Sequence, residues 1–339
     1  MQNLYGQTLK QLQNICEQHT IQKYVAKQLA DWMYHKHVYD FQKMTNLSIP
    51  LREKLSEQYT IFVPKPIQEH ISEDETKKYL YEFSSGAIES AWIPESDRST
   101  LCMSCQVGCK RGCTFCMTAR QGWKENLTAG EILSQYAGLP ERDKITNFVY
   151  MGMGEPMDNL DNVLNSLEIL TSPYGYNQSN SRITVSTIGI IPNMVSFLQQ
   201  TKCRFAISLH TPFQDERDEL LPGAKLYPLK ELFAALSNIP FDEHRRLTFE
   251  YIVWDGINHT HQHALKLYDW LHNLNCRLNL IHYHSLPNHT LVGASAGTVL
   301  RFQEQLQKLG LNVTIRKSRG EDIKAACGLL STLHMQSHK

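Results

Sequence analysis

The chain has 339 residues, which is enough for one large domain and a smaller one. Hydrophobic residues make up 42% and charged residues 20%, as in globular proteins, and no run reaches the roughly 18 apolar residues that a membrane span needs. Lysine plus arginine equals aspartate plus glutamate at 34 each, so the net charge gives no indication of a nucleic-acid partner. Because the N-terminus also lacks the pattern of a secretory signal, we expect a cytoplasmic protein with no membrane partner.

Residues 1–75 predict a small helical accessory domain. Apolar residues recur with helical periodicity in KQLQNICEQ and YVAKQLADWMY, and Pro64 and Pro66 end that pattern. Lysines of this segment could either hold the phosphates of RNA or form a solvated helix face: Lys10, Lys23, Lys27, Lys36 and Lys43. Residues 76–98 contain the alternating run YLYEFSSGAIESAWIP, which predicts a β-hairpin extension.

From residue 99 to residue 339, strand-like runs alternate with helix-like runs, which predicts an α/β fold. The predicted strands are TLCMS, NFVYM, RITVS, RFAIS, LTFEYIV, RLNLI and NVTIR. The predicted helices are AGEILSQYA, NVLNSLEIL, NMVSFLQQ, LKELFAAL, HALKLYDWL and VLRFQEQLQ, the first preceded by a capping box at Thr128 and Glu131. A barrel is favoured over a doubly wound sheet because no strand is followed by G-x-G-x-x-G, and barrel chemistry is expected on the loops after the strands.

Five of the nine cysteines fall within fifteen residues, from Cys102 to Cys116. In a reducing compartment such clustering indicates metal or redox chemistry rather than disulfides. Cys109, Cys113 and Cys116 form a C-x-x-x-C-x-x-C pattern, which supplies three thiolates to a [4Fe–4S] cluster and leaves one iron open for a small chelating molecule. The alternative is a zinc site with a fourth ligand elsewhere, but such sites usually show two paired C-x-x-C knuckles and this loop has one.

With Phe115 before the last cysteine, this loop resembles that of the radical S-adenosylmethionine (SAM) superfamily. Within the superfamily, the chain resembles the family that methylates carbon 2 of adenosine in 23S ribosomal RNA and transfer RNA. The resemblance runs from about Glu89 to Ser331, on the motifs IPESDRSTLCMSCQVGC, MGMGEPMDN, ITVSTIG, ISLHTP and SRGEDIKAACG. It implies a partial (β/α)6 barrel that binds a [4Fe–4S] cluster and uses two molecules of SAM per turnover. The implied partners are 23S rRNA, tRNA and a flavodoxin-like reductant for the cluster, and we expect a monomer.

The resemblance also assigns residues to the SAM site. Gly154 and Glu155, in MGMGEP, resemble the element that holds the methionine amine, although alone they would suggest a tight turn. Further residues at strand ends or in loops are implied to contact SAM: Ser186, Ser208, Leu209, His210 and His284. At the position of His284 the family more often has asparagine, and with His282 and His289 this histidine also fits an ordinary strand end and loop.

Two cysteines and one glutamate match the catalytic residues of that family. Cys327 would accept a methyl group from one SAM, and a radical made from a second SAM would remove hydrogen from that methyl, so that the carbon adds to adenine. Glu89 would remove the proton from carbon 2, and Cys102 would attack the Cys327 sulfur, forming a disulfide and releasing methylated RNA. Taken alone, the two cysteines could be buried inert thiols and Glu89 a solvated strand residue.

Two other functions share these motifs. A related family methylates carbon 8 of adenosine with the same cluster and both cysteines; Pro156 favours carbon 2, because the relative tends to have alanine there. A non-catalytic iron–sulfur or zinc RNA-binding adaptor would share the cysteine loop. Such an adaptor would produce no 5′-deoxyadenosine when it is reduced in the presence of SAM.

Overall fold

Residues 1–60 form three helices and a short two-stranded sheet in this computed structural model, which describes residues 1–242, 244–286 and 289–332. The elements are β1 (Gln2–Asn3), α1 (Leu9–Gln18), α2 (Tyr24–Ala30), α3 (Ile49–Gln58) and β2 (Tyr59–Thr60). The two runs expected to be helical lie in α1 and α2, and a π-helical stretch, Asp31–His35, continues α2. The Tyr5 hydroxyl lies 2.6 Å from the Tyr176 hydroxyl, which joins this segment to the rest of the chain.

An antiparallel extension follows the helical segment. It consists of β3 (Gln68–Ile71), β4 (Lys77–Phe83) and β5 (Gly86–Pro94). β4 and β5 pair around the turn at Ser84 and Ser85, which confirms the predicted hairpin. β3 pairs with the other edge of β4, so the boundary expected at residue 76 falls in the turn between β3 and β4.

The remaining chain alternates strands with helices. In chain order the elements are β6 (Ser99–Cys102), β7 (Gln106–Gly108), α4 (Met117–Arg120), β8 (Trp123–Asn126), α5 (Ala129–Ala137), β9 (Asn147–Tyr150), α6 (Leu160–Thr171), β10 (Ile183–Thr187), α7 (Ile191–Gln200), β11 (Arg204–Ser208), α8 (Gln214–Leu220), α9 (Leu229–Ser237), β12 (Leu247–Val253), α10 (His261–Leu271), β13 (Cys276–His282), α11 (Ala296–Lys308) and β14 (Val313–Arg316). The capping box before α5 is present, as predicted.

These strands build an open barrel. A sheet of ten strands has the order β14-β13-β12-β11-β10-β9-β6-β5-β4-β3, and the pairs from β6 to β14 are all parallel. The seven strands predicted from the sequence are confirmed, and β14 adds a parallel strand to the six-stranded arrangement that the resemblance implied. Short helix α8 and the small antiparallel sheet of β7 and β8 were not predicted.

The two faces of the parallel strands differ in character. Phe148, Phe205 and Phe249 are fully buried and belong to the main apolar core. Alternate strand residues face the other way, and there Thr184 and Thr248 line a cavity. A closed βα barrel instead fills its interior with branched apolar side chains. The described helices include none that is long and apolar enough to cross a membrane.

Candidate active site

The cavity inside the open barrel has a volume of about 580 Å³ and is bordered at one end by the carboxyl ends of the parallel strands. Most residues expected at the site line it, namely Cys102, Cys109, Cys113, Cys116, Gly154, Glu155, Ser186, Ser208, His210, His284 and Cys327. Glu89 and Leu209 are buried outside this lining. The structure therefore gathers in one cavity residues that lie up to 225 positions apart, from Cys102 to Cys327.

The cysteine loop, residues 109–116, is held in place by its neighbours. It starts where β7 ends, at Gly108, whose φ of +77° favours glycine and whose added Cβ would lie 1.7 Å from the Gly122 carbonyl oxygen. Within the loop, the Nε of Arg111 donates a hydrogen bond of 2.6 Å to Asp158. This ion pair and the close backbone approach fix the loop at the cavity wall.

The three cysteines of the loop lie close together, Cys109 buried and Cys113 and Cys116 partly buried. Burial raises the pKa of Cys109 to about 12, and the nearby charge of Cys116 adds to the rise. Burial also raises the pKa of Cys113 and of Cys116, and for Cys113 the other two sulfurs contribute. A bound cation would reverse this effect, since thiolates are the form that binds metal.

The donor set fits an iron–sulfur cluster. Among the described residues, no three His, Cys, Asp or Glu side chains converge closely enough to hold a single metal ion. A [4Fe–4S] cluster takes one thiolate at each of three different irons, so its ligands do not have to meet at a point. Three sulfurs on one short, braced loop facing one cavity meet this requirement.

Gly154 and Glu155 connect the loop after β9 to the loop after β10. Gly154 has a φ of +105°, and a Cβ added to it would lie 2.6 Å from the Gln106 side chain. The two carboxylate oxygens of Glu155 accept hydrogen bonds from the backbone N–H groups of Met157 (3.0 Å) and Ile188 (2.9 Å). Burial raises the pKa of Glu155 to about 7, against the lowering effect of these hydrogen bonds.

Ser186 and Ser208 face the cavity from β10 and β11. Leu209, the next residue along the chain, is fully buried, and its backbone N–H donates a hydrogen bond of 3.0 Å to the Glu250 carbonyl oxygen. The side chain of Leu209 therefore supports the cavity from behind, while Ser208 lies on its surface.

His210 is held as a neutral imidazole. Its Nδ1 accepts a hydrogen bond of 3.1 Å from the Ile252 backbone N–H, and its ring meets the Phe115 ring edge to face at 4.8 Å. Burial, with a contribution from the charge of Arg217, lowers the pKa of His210 to about 3. Because Nδ1 is the acceptor, the ring proton lies on Nε2 and is available to a bound molecule.

His284 binds the segment that follows β14. Its Nε2 lies 2.6 Å from the Ser318 hydroxyl, and its Nδ1 lies 2.7 Å from the Glu321 carboxylate. Both ring nitrogens are thus engaged within the chain, although the residue lines the cavity. In this structure His284 positions the approach to Cys327.

Cys102 and Cys327 lie together at the cavity mouth with an arginine beside them. Cys102 ends β6 and packs with Ala325 in a small apolar cluster. Burial raises the pKa of Cys102 to about 12, and the charge of Cys327 adds to the rise, whereas Arg316 opposes it. Nearby charge, above all that of Cys327, raises the pKa of Arg316 in turn. Cys327 itself is exposed.

Glu89 lies on β5 in a buried ion pair. Its Oε1 is 2.9 Å from the Lys78 Nζ, and the two side chains are 2% and 8% exposed. Its Oε2 accepts a hydrogen bond of 2.9 Å from the Ser331 backbone N–H. The carboxylate is therefore covered by the C-terminal segment, residues 317–332, in this arrangement.

The C-terminal segment is bound to the helix that follows the cysteine loop. The Met117 N–H donates a hydrogen bond of 2.8 Å to the Gly328 carbonyl, and the Thr118 hydroxyl donates one of 2.7 Å to the Leu330 carbonyl. The Gln121 amide also bonds to the Thr332 hydroxyl at 2.7 Å. Cys327 is thus fixed directly beside the loop that carries the three cysteines.

Two charged residues of the site were not predicted from the sequence. Arg316 is the last residue of the predicted strand NVTIR, so the rule that barrel chemistry follows the strands would have indicated it. Lys78 gives no such signal. Its partner Glu89 lies on a different strand, and their contact depends on the register of β4 with β5.

Comparison with known proteins agrees with this geometry. A family model described as the ribosomal RNA large subunit methyltransferase N-terminal domain, RlmN_N, matches residues 2–61, and the radical SAM superfamily model matches residues 103–271. A Bacteroides fragilis protein named "probable dual-specificity RNA methyltransferase RlmN" is 48% identical over 330 residues, which are 97% of this chain and 96% of that protein. A Porphyromonas gingivalis protein with the same name is 44% identical over 98% of both chains.

A solved structure is also similar. The crystal structure of a radical SAM methyltransferase from Sphaerobacter thermophilus superimposes with a TM-score of 0.89 at 36% sequence identity. The match covers 97% of this chain and 99% of the other. The likeness therefore includes the helical N-terminal segment and the C-terminal segment as well as the open barrel.

Proposed function

Because this chain belongs to the RlmN family of dual-specificity radical SAM RNA methyltransferases, we propose that it methylates carbon 2 of adenosine in 23S rRNA and in tRNA, with Cys327 as the carrier of the methyl carbon. The enzyme uses the [4Fe–4S] cluster and SAM of its superfamily. The observation that supports the proposal best is the placement of Cys327 and Cys102 beside one another in the cavity that also holds the three loop cysteines.

Cys109, Cys113 and Cys116 would hold the cluster, which when bound supplies the electron that splits SAM into a radical. Around the expected position of the cluster, the chain supplies polar side chains whose orientation is fixed by hydrogen bonds. Glu155 is a carboxylate suited to a methionine amine, and the His210 Nε2–H is a neutral donor. Ser186, Ser208 and Gly154 offer further contacts in the same cavity, whereas His284 would have to release Ser318 or Glu321 before it could contact SAM.

Cys327 would act first as a nucleophile. It is exposed at the mouth, and the Arg316 guanidinium lies beside it. After the methyl carbon has joined the adenine, Cys102 gives up its proton and its sulfur attacks the Cys327 sulfur. The disulfide forms as the carbon–sulfur bond to the RNA breaks, and the carbon keeps the electron pair of that bond and takes up a proton to become the methyl group. Burial keeps Cys102 protonated until that stage, which limits premature reaction.

Glu89 would accept the proton from carbon 2 of the base. One oxygen of its carboxylate pairs with Lys78, and Ser331 covers the other. The role therefore requires that the Ser331 contact opens when RNA enters. The proposal predicts motion in the C-terminal segment during turnover rather than in the rigid strand β5.

The wider setting of the reaction is also proposed. Residues 1–75 would form an accessory domain that contacts RNA, residues 76–98 an extension that carries Glu89, and residues 99–339 the catalytic barrel. We further propose a cytoplasmic monomer that receives electrons from a flavodoxin-like donor. Chemical cross-linking to an RNA hairpin, followed by peptide mapping, tests the accessory domain by asking whether lysines of the first 75 residues are captured.

Single cysteine replacements test the assignment of the two catalytic cysteines. In anaerobically reconstituted enzyme, Cys327→Ala should abolish 2-methyladenosine, and Cys102→Ala should accumulate a covalent protein–RNA adduct. Cys276→Ala, at the start of β13 and outside the cavity, is the matched control and should retain activity. Normal product from Cys327→Ala, or a Cys102→Ala variant without adduct, would contradict the roles.

The position of the methyl group separates carbon 2 from carbon 8. Nuclease digestion of the product RNA and mass spectrometry against both methyladenosine standards gives the answer directly. Formation of 5′-deoxyadenosine in the same reaction excludes the non-catalytic adaptor. Methyl found only on carbon 8 would overturn the substrate position while leaving the cysteine assignments intact.

A further inference from the structure

Four arginines line the cavity at the end opposite to the cysteines. Arg182 lies just before β10, Arg204 begins β11, Arg246 lies just before β12, and Arg277 is the second residue of β13. All four strands are parallel neighbours, so these positions come together at the amino ends of the strands. We call this set the amino-end arginines.

Polar residues follow the amino-end arginines along three of the four strands. In β10 and β12 the cavity-lining residue two positions further along is Thr184 or Thr248, and in β13 it is Asn279. Ser186 and Ser208 lie four residues further along their strands than Arg182 and Arg204. The arginines therefore belong to the same cavity as the active site but not to the chemistry at its mouth.

The amino-end arginines have no countercharge among the residues that the structure describes. No acidic side chain of this part of the chain forms an ion pair with any of the four, and Glu95, at the same end of the barrel, is paired with Arg98. The Nε atoms of Arg204 and Arg277 are buried without a hydrogen-bond partner. Arg204 and Arg246 lie side by side on neighbouring strands, and burial together with the charges of Arg246 and Arg277 lowers the pKa of Arg204.

We propose that the amino-end arginines form a binding site for a small phosphate-bearing anion. Guanidinium groups donate in pairs to phosphate oxygens, and a tetrahedral anion can accept from several sides at once. The hydroxyls of Thr184 and Thr248, which also line the cavity, offer further donors beside it. An RNA that presents a base to Cys327 approaches the other end of the barrel, so this ligand is a separate small molecule. The site lies beyond the proposed methyl transfer and does not depend on it.

The anion has a structural consequence for the open barrel. It would join β10 to β13 across the cavity at the end where like charges otherwise repel. Bound phosphate should therefore stabilise the protein, and removing the charges should make the protein indifferent to phosphate. Together these two results would distinguish a specific binding site from nonspecific binding at the surface.

Equilibrium dialysis of reconstituted holoenzyme with radiolabelled inorganic phosphate tests the proposal. We expect saturable binding to the unmodified protein and a Kd about tenfold or more weaker in the Arg204→Gln/Arg277→Gln variant, because two charge-assisted contacts are lost. The control, Arg301→Gln/Lys308→Gln, removes the same charge from the exposed face of α11 and should bind as the unmodified protein does. A parallel experiment with tripolyphosphate shows which anion the site prefers. Tighter binding of tripolyphosphate than of phosphate indicates a polyphosphate group, and equal binding indicates free phosphate.

Three results would overturn the site: no saturable uptake by the unmodified protein, equal uptake by the arginine variant and the control, or displacement of phosphate by SAM. Circular dichroism checks that the double variant folds. If it does not, the single variant Arg246→Gln replaces it, and unchanged phosphate affinity in that variant likewise refutes the proposal. Thermal unfolding gives a second readout, with a phosphate-dependent rise in Tm that the arginine variant lacks.

Discussion

Replacing Lys78 by methionine should destabilise the protein far more than an ordinary lysine replacement. The Lys78 Nζ lies 2.9 Å from the Glu89 carboxylate, and both side chains are almost fully buried. Removing one partner of a buried ion pair typically costs about 3–5 kcal/mol, because the other charge stays in a medium that solvates it poorly. The Ser331 N–H still donates to the carboxylate, so we expect a loss of about 3 kcal/mol, at the lower end of that range.

Urea unfolding followed by tryptophan fluorescence measures this loss. Lys23→Met is the matched control, since Lys23 pairs with Glu17 on the surface with side chains 70% and 50% exposed, and it should change stability little. The double variant Lys78→Met/Glu89→Gln should recover much of the loss, because a neutral amide at this position no longer requires a cation. The reasoning is refuted if Lys78→Met costs no more than Lys23→Met, or if the double variant loses the sum of the two single losses.

Three further predictions concern the cavity. Since the pKa of His210 is lowered to about 3, the native state binds fewer protons than the unfolded state, so stability held above pH 6.5 is lost as the pH falls toward 3. At pH 5 this contribution lowers the free energy of unfolding by roughly 2 kcal/mol. Urea titrations at pH 7 and pH 5 measure the difference, and His210→Gln should abolish the part that comes from His210. Gly154→Ala should lower stability by about 1–3 kcal/mol because its Cβ meets a glutamine side chain, whereas Gly256→Ala, also at positive φ but in open space, should cost less by thermal unfolding. Arg316→Gln should slow the methylation of Cys327, measured as a mass increase of the protein, and an unchanged rate would remove Arg316 from the mechanism.

The barrel strands could be predicted because each is a short run of β-branched or aromatic residues between polar turns. β12, with the sequence LTFEYIV, is an example, and its bounds match the prediction. Helix α8 could not be predicted in the same way, because QDERDEL has no apolar periodicity, and it is held instead by the buried Arg217. Strand β8 was missed because its residues are largely exposed and its partner β7 lies inside the cysteine motif.

The residues of the candidate site could likewise be predicted only where the sequence signal is local. Its loop cysteines could be predicted because their spacing and the residues beside them form a recognisable pattern within one short segment. The ion pair of Lys78 with Glu89 could not, because it depends on the register that sets Leu80 opposite Glu89 and brings Lys78 diagonally alongside. The amino-end arginines could not be predicted either. In the sequence each is a single basic residue at the start of a strand, and only the folded sheet brings the four together.

The attachment of the C-terminal segment also bears on how the enzyme is made. Cys327 follows every described helix and strand, while its anchors at Met117 and Gln121 emerge from the ribosome some 200 residues earlier. The cysteine loop and α4 are therefore already made while the segment that carries Cys327 is still being synthesised. Docking of that last stretch on α4 completes the cavity wall, so Cys327 reaches its place beside the cysteine loop only after all the barrel strands have been made.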